Sequence, residues 1–266
     1  MPKLKEELIT VYKYKIKGDY SDERQEKHAI IITNKLKGKM PSQEKSAILL
    51  GGGSGAGKST IVKEHLMPNS EDFNVEREFV FIDADDIKTY LEEYKMYIEN
   101  EETVYFAAYY VHAESGDIVN MLLQKCIDLE LSFIYDGTMS WKPLYDDLLP
   151  KLKNKSYQTL GIYVDVDVLV AAERVKKRGV KEKRFVDEEV VKKANRNSAI
   201  VFKQLKPQFD QVLMFNNTVE RTEDSNIISI PFYRRETSFT ELFNGEIKNK
   251  KDLELFIKKS EEPYIE

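Results

Sequence analysis

Past about residue 45 the chain changes from polar helical patterning to short apolar runs separated by long amphipathic stretches. The runs are AILLGG (47–52), FVFIDAD (79–85), SFIYDGT (132–138), TLGIYVDVD (159–167) and QVLMFNN (211–217). Each has the length of a strand and is apolar nearly throughout, as a strand buried on both faces must be. Helical patterns fill the gaps, notably over 103–128 and 187–205. This alternation predicts an α/β fold: a parallel sheet of about five strands with helices on both faces. Four of the five runs end in polar residues or glycine: Gly51 and Gly52, Asp83 and Asp85, Asp136 and Thr138, Asp165 and Asp167. Ligands on such sheets bind beyond the carboxyl ends of the strands. The polar chemistry is therefore gathered along one edge.

The flanks read differently. SDERQEKHAIIITNKL (21–36) opens with Ser21 and Asp22 as helix caps and turns apolar toward its end, after which Gly38 and Pro41 punctuate the chain. The expected organisation is a helical N-terminal extension over 1–45, a core over 46–219 and a C-terminal extension over 220–266 packed on the core. Within the last, NIISIPFY (226–233) reads as one more short strand and NKKDLELFIKKS (249–260) as a short helix.

Composition narrows the function classes. A hydrophobic share of 41% supports a real core, and a net charge of −5 with interspersed signs argues against a nucleic-acid coat. The single cysteine, Cys126 in MLLQKCIDL, rules out a disulfide framework and reads as a small buried hydrophobe. The first residues lack the apolar core of a signal peptide, and no run approaches a membrane span. The expectation is a cytoplasmic protein without a membrane partner.

The sharpest signal is GGGSGAGKST (51–60), whose residues 52–59 form G-x-x-x-x-G-K-S between a predicted strand and a predicted helix. Gly52, Gly53, Ser54, Gly55, Ala56 and Gly57 let the backbone curl until its N–H groups surround phosphate oxygens. A helix then starts, with Lys58, Ser59 and Thr60 in its first turn, and its positive end adds to the field. Lys58 reaches the β and γ phosphates, and the Ser59 hydroxyl ligates Mg²⁺. The implied cofactors are a nucleoside triphosphate and Mg²⁺.

FVFIDADDIKTYLEEY sets Asp83, Asp85 and Asp86 just past the second strand. A kinase needs a carboxylate beside the acceptor hydroxyl. Asp83 and Asp85 suit that task, while Asp86 reads as a first-turn acid. The motifs of a switch GTPase, D-x-x-G and N-K-x-D, are absent from the expected places. Asp136 and Thr138 face the same crevice or form an ordinary strand-end turn. Arg174 and Arg178 lie four apart on one helical face, with Arg184 following. They form either a phosphate-gripping lid or a solvated basic helix.

ILLGGGSGAGKST, FIDADDIK, VHAES, YDGT and the paired arginines, in this order and spacing, resemble the zeta-toxin family of P-loop kinases from about His28 to Asn217. The resemblance implies an adenylate-kinase-like core. It also implies phosphoryl transfer from ATP or GTP to a hydroxyl of a nucleotide sugar such as UDP-N-acetylglucosamine. A toxin role and a small antitoxin partner over the nucleotide site belong to the same expectation. Carried over by position, Lys58 and Ser59 match the nucleotide and metal residues, and Asp85 the base. Asp83, Glu114, Asp136 and Thr138 fall on the substrate side, and Arg178 and Arg184 match the arginines that grip phosphates.

Two positions depart from the pattern. Ser140 stands where the classical toxins carry arginine. The substrate-side glutamate is met by Glu114 in a looser branch of the family, or by Asn120 when counted back from Asp136. The acceptor class therefore stays open between a nucleotide sugar, an NAD-type dinucleotide and a polynucleotide end, with a non-catalytic nucleotide-binding module as the remaining alternative. His112 is a substrate contact or a solvated or capping histidine, and Tyr90 with Tyr94 stacks on a base or packs in the core. Residues 1–45 pack as structure or restrain the core in cis.

Overall fold

The chain begins with a 3₁₀ turn and a one-turn helix α1 (Thr10–Tyr14), then a two-residue ribbon, β1 (Lys15–Ile16) against β2 (Asp19–Tyr20), and helix α2 (Asp22–Leu36). A computed structural model describes residues 3–66, 75–183, 185–218, 231, 233–236 and 249–265. Helix α2 starts where the sequence predicts: the Ser21 side chain accepts from the Arg24 N–H, satisfying one of the orphan donors of the first turn.

The core follows as β3 (Ser46–Gly51), α3 (Lys58–His65), α4 (Val75–Glu78), β4 (Val80–Asp83), α5 (Ala84–Lys88) and α6 (Glu92–Glu99). It continues with α7 (Ala107–Tyr110), α8 (His112–Asp128), β5 (Phe133–Asp136), α9 (Lys142–Asn154) and β6 (Gln158–Asp165). Then come α10 (Val168–Glu182), α11 (Glu188–Leu205), β7 (Gln211–Asn216), β8 (Tyr233–Glu236) and α12 (Lys250–Ser260). All five predicted runs form strands, in the order β4-β5-β3-β6-β7 and all parallel. β8 adds an antiparallel edge to β7 and lies a few residues beyond the predicted strand at 226–233, most of which falls outside the described residues. The predicted helix over 249–260 is α12.

Strand periodicity divides the interior into two layers. Ala47 and Leu49 of β3, with Val80, Ile82, Phe133 and Tyr163, face one cluster. Ile48 and Leu50, with Ile134, Ile162, Val164 and Phe215, face the other. Successive side chains of a strand point to opposite faces, so a run apolar at every position must be covered twice. Apolar residues of α2, α6, α8 and α12 close the first face, and those of α3 and α10 the second. Cys126 is fully buried on α8, and burial pushes its thiol up to about 12, where it stays protonated and inert.

The amphipathic stretch 103–128 is not one helix. A 3₁₀ turn (Val104–Phe106) leads into α7, and α7 and α8 meet at Val111, whose φ of −108° and ψ of 1° break the run. Tyr105, Phe106, Tyr109, Tyr110 and Val111 crowd the preceding turn and are poor helix formers. Among the described residues, no helix is long and apolar enough to cross a membrane.

Candidate active site

β3 ends at Gly51, and the chain curls through the glycine loop before α3 begins at Lys58. The helix is entered through Gly57, whose φ of +86° suits a residue without a side chain. A Cβ on Gly53 would lie 2.4 Å from Asn195 Cγ, so this position requires glycine for lack of space. The loop is held from three sides. Asn195 Nδ2 on α11 donates to Ser54 O (3.1 Å), and Asn217 Nδ2 past β7 donates to Ala56 O (2.8 Å). Gly52 N–H donates to Thr138 O (3.0 Å) and Ser198 Oγ (2.8 Å).

Lys58 crosses the mouth of the loop. Its Nζ donates to Gly52 O at 2.9 Å and lies 3.6 Å from Asp136 Oδ1. The P-loop lysine and the strand-end carboxylate of β5 therefore share one locus. Ser59 and Thr60 stand exposed on the first turn of α3. Thr138 contributes its carbonyl to the loop, and its Oγ1 lies 2.7 Å from Ser140 Oγ. That turn is braced in turn by the segment after α12: Tyr264 Oη donates to Ser140 O (3.0 Å), and Ile265 exchanges two hydrogen bonds with Asn197.

Beside the loop, a crevice of about 290 Å³ is walled by Lys35, Ser59, Lys63, Asp83, Asp86 and Asp136 over an apolar floor. Asp83 caps α5, with its Oδ1 accepting from the Asp85 N–H at 2.8 Å. Asp85 Oδ1 pairs with Lys88 Nζ at 2.8 Å, and Lys88 is buried. Asp86, expected to be only a first-turn acid, lies on the crevice wall and pairs with Lys35 of α2 at 2.7 Å.

The arginines separate. Arg174 Nη1 donates to Asn217 O (2.8 Å) and Gly55 O (3.4 Å), so it braces the loop backbone. Arg178, one turn on, lies 3.9 Å from Glu182. Arg184 falls outside the described residues. Tyr94 packs in the core, Tyr90 is exposed, and His112 sits exposed at the start of α8.

Glu114 requires a correction. The sequence places it on the substrate side, but its side chain is fully buried between α8 and α2. Arg24 Nε donates to Glu114 Oε1 (2.5 Å) and Nη2 to Oε2 (2.9 Å), while His28 Nε2 lies 2.6 Å from Oε1. The other edge of the Arg24 guanidinium is bidentate to Glu93 of α6, at 2.9 Å for each bond. Burial alone would push the Glu114 carboxyl up; the bonds from His28 and Arg24 outweigh it and hold the group down at about 2. Both oxygens bond to the N-terminal helix and the side chain has no exposed surface, so it is closed to a substrate in this structure.

Sequence reasoning missed the loop's supports. Asn195, Asn197 and Ser198 are buried polar residues on a helix otherwise packed through Val191, Ile200, Val201 and Phe202. Polar groups on a buried face need partners, and that was the available signal. Lys88 was legible as an i, i+3 partner of Asp85.

A glycine loop closing on a helix N-terminus, at the carboxyl edge of a parallel sheet ordered β4-β5-β3-β6-β7, defines the P-loop NTPase class. The zeta toxin family model matches residues 32–230, and the chain belongs to that family. Toxin PezT of Streptococcus pneumoniae is 31% identical over 143 residues, 53% of each chain. The calmodulin calcium-dependent NAD kinase of Arabidopsis thaliana is 31% identical over 111 residues, 40% of this chain and 20% of that protein. The matches thus span about half the length of the first curated relative and a fifth of the second. The structure of the PezAT chromosomal toxin–antitoxin system of Streptococcus pneumoniae aligns with a TM-score of 0.60 at 21% identity, covering 91% of this chain and 96% of that one. The AvrRxo1-ORF1:AvrRxo1-ORF2 complex with sulphate ions aligns with a TM-score of 0.67 at 13% identity, covering 94% and 76%. At these identities the likeness is one of fold.

Proposed function

We propose that this chain is a kinase that moves the γ-phosphate of ATP or GTP onto a hydroxyl of a small nucleotide-like acceptor. UDP-N-acetylglucosamine is the first candidate. The observation that carries this reading is the shared locus of Lys58 and Asp136, beside a crevice walled by Ser59 and Asp83. It joins a triphosphate cradle to strand-end carboxylates, as phosphoryl transfer to an alcohol requires.

In this reading the loop N–H groups and Lys58 hold the donor's phosphates. Arg178 of α10, and by motif position Arg184, are assigned to stabilise the charge that spreads over the transferring group. The acceptor oxygen forms the new P–O bond, the bond between the γ-phosphorus and the bridging oxygen breaks, and the nucleoside diphosphate leaves. The hydroxyl proton passes to Asp85, which Lys88 and the Asp83 cap hold in place. Ser59, Asp83 and Asp136 offer oxygen donors of the kind Mg²⁺ prefers, and few protein ligands suit an ion that keeps waters and phosphate oxygens. Bound there, Mg²⁺ would neutralise phosphate charge.

We assign the catalytic core to 46–219, with extensions before and after it. A small antitoxin-like protein covering the nucleotide site is the expected macromolecular partner. It is supported by family membership and by the toxin–antitoxin system among the structural neighbours. A second reading, transfer to an NAD-type dinucleotide, is supported by the likeness to the NAD kinase of Arabidopsis thaliana, while Ser140 in place of arginine and the burial of Glu114 weigh against the sugar-nucleotide acceptor.

The test is an acceptor screen by mass spectrometry. The protein is incubated with ATP, Mg²⁺ and, separately, UDP-N-acetylglucosamine, other UDP-sugars, NAD and a 5′-hydroxyl oligonucleotide. A phosphorylated UDP-sugar supports the first reading and phosphorylated NAD the second; no product from any acceptor refutes both. Asp85→Asn is expected to slow transfer roughly 10²-fold with ATP binding retained. Full transfer by that variant would remove Asp85 from the base role.

A further inference from the structure

Lys35 stands in the crevice without a part in the mechanism above. It arrives from outside the core: Arg24, His28, Ile31 and Lys35 follow one another at spacings of four, three and four along α2. They therefore share one face of the helix. The first three are buried, and two of them, Arg24 and His28, are bound to Glu114. That seating fixes where Lys35 emerges, about 16 Å from Arg24 along the same stripe by helix rise. Its side chain is only 15% exposed, with its Nζ 2.7 Å from Asp86 on the crevice wall. Lys63 of α3 lines the same crevice.

The donor's phosphates already have Lys58, the loop N–H groups and the basic helix α10. An acceptor presenting a neutral hydroxyl would need carboxylates beside it and no further ammonium groups. Yet this crevice carries two, one of them delivered by a helix anchored through a buried ion network. A lysine ammonium has three donors, and the bond to Asp86 uses one.

We infer that Lys35, assisted by Lys63, binds an anionic phosphate group carried by the acceptor and so selects phosphate-bearing acceptors. Asp86 holds the ammonium in position until the acceptor arrives. This rests on the kinase reading for the word acceptor, but the anion site itself is testable without turnover. The bland alternative is a tether between α2 and α5, in which Lys35 contributes to packing alone.

The experiment uses the full chain saturated with ADP and Mg²⁺, so that the P-loop is filled, and titrates UDP and, separately, inorganic pyrophosphate by calorimetry. Lys35→Met keeps the stem and removes the charge; Lys35→Arg restores the charge. Loss of one charge-assisted contact is expected to weaken UDP binding about tenfold or more in Lys35→Met, or about 1.4 kcal/mol. ADP affinity and thermal midpoint should stay close to wild type, and Lys35→Arg should recover most of the loss. Where an acceptor turns over, its KM should rise by a similar factor with little change in kcat. Unchanged UDP and pyrophosphate binding in Lys35→Met overturns the inference. So does a parallel fall in ADP affinity, which a structural tether would produce, or a wild-type protein that binds neither ligand with its P-loop filled. A screen with no phosphorylated product removes the kinase reading and leaves this titration to decide Lys35.

Discussion

Lys58→Ala is expected to lower the proposed phosphoryl transfer on the order of 10³-fold while the protein stays folded. The geometry gives both halves of that expectation. The ammonium is the only lysine placed across the loop mouth among the described residues, 2.9 Å from Gly52 O and 3.6 Å from Asp136. In the proposed reaction it would exchange the carbonyl for the β and γ phosphate oxygens, where charge builds in the transition state. Its side chain is part-buried and packs no core layer, so truncation leaves the two apolar clusters intact. Lys58→Arg should fail to rescue, because a planar fork does not fit a loop shaped around a point charge. Single-turnover assays with the identified acceptor, alongside thermal melts, check both claims. Transfer within tenfold of wild type would show that the loop does not hold the reacting phosphate.

The second large effect is on stability. Arg24→Ala is expected to cost about 3–5 kcal/mol, because it strands Glu93 and Glu114 without their partner in the interior. For a chain of this size that corresponds to a thermal midpoint lower by roughly 10 °C. A loss below about 1 kcal/mol would mean that water reaches the pair. The same network sets an acid limit. Glu114 is held down at about 2 in the folded protein and titrates near the ordinary carboxylate value when unfolded. Its contribution is fully present above about pH 4.5 and is lost as the pH falls toward 2. Burial acts on Glu93 in the opposite direction, but bonds from Arg24 and Tyr14 lower it overall, so it adds to the same window. Glu114→Gln should flatten stability over that range in acid titrations followed by circular dichroism. These contacts favour a structural role for residues 1–45. Their deletion is expected to yield an insoluble or less active protein, and a soluble, more active one would favour restraint in cis.

The parallel strands were legible because burial on both faces leaves few polar residues within them, and the glycine loop because its backbone path tolerates few alternatives. The start of α2 was legible from Ser21, whose cap is local chemistry. What was hidden depends on contacts far apart in sequence. Asn195, Ser198 and Asn217 close on the loop from more than a hundred residues away, and a helical pattern gives no hint of that. Glu114 was assigned from its motif neighbours, but its partners, Arg24 and His28, lie in a segment read only as a polar helix. Lys35 belongs to no motif, and only the tertiary fold brings it to Asp86.

The seating of α2 also bears on what a covalent break would do. Between Lys37 and Lys45 the chain is mostly exposed, with Met40 76% exposed, and joins α2 to β3. A protease cutting there would sever the peptide and little else. The buried ions of Arg24, with Ile9 and Ile31 in the core, would keep the short piece bound to the long one. Such a nicked protein should run as two bands on a denaturing gel and as one peak in gel filtration. Its halves, made separately, would be a split protein whose reunion reconstitutes the crevice.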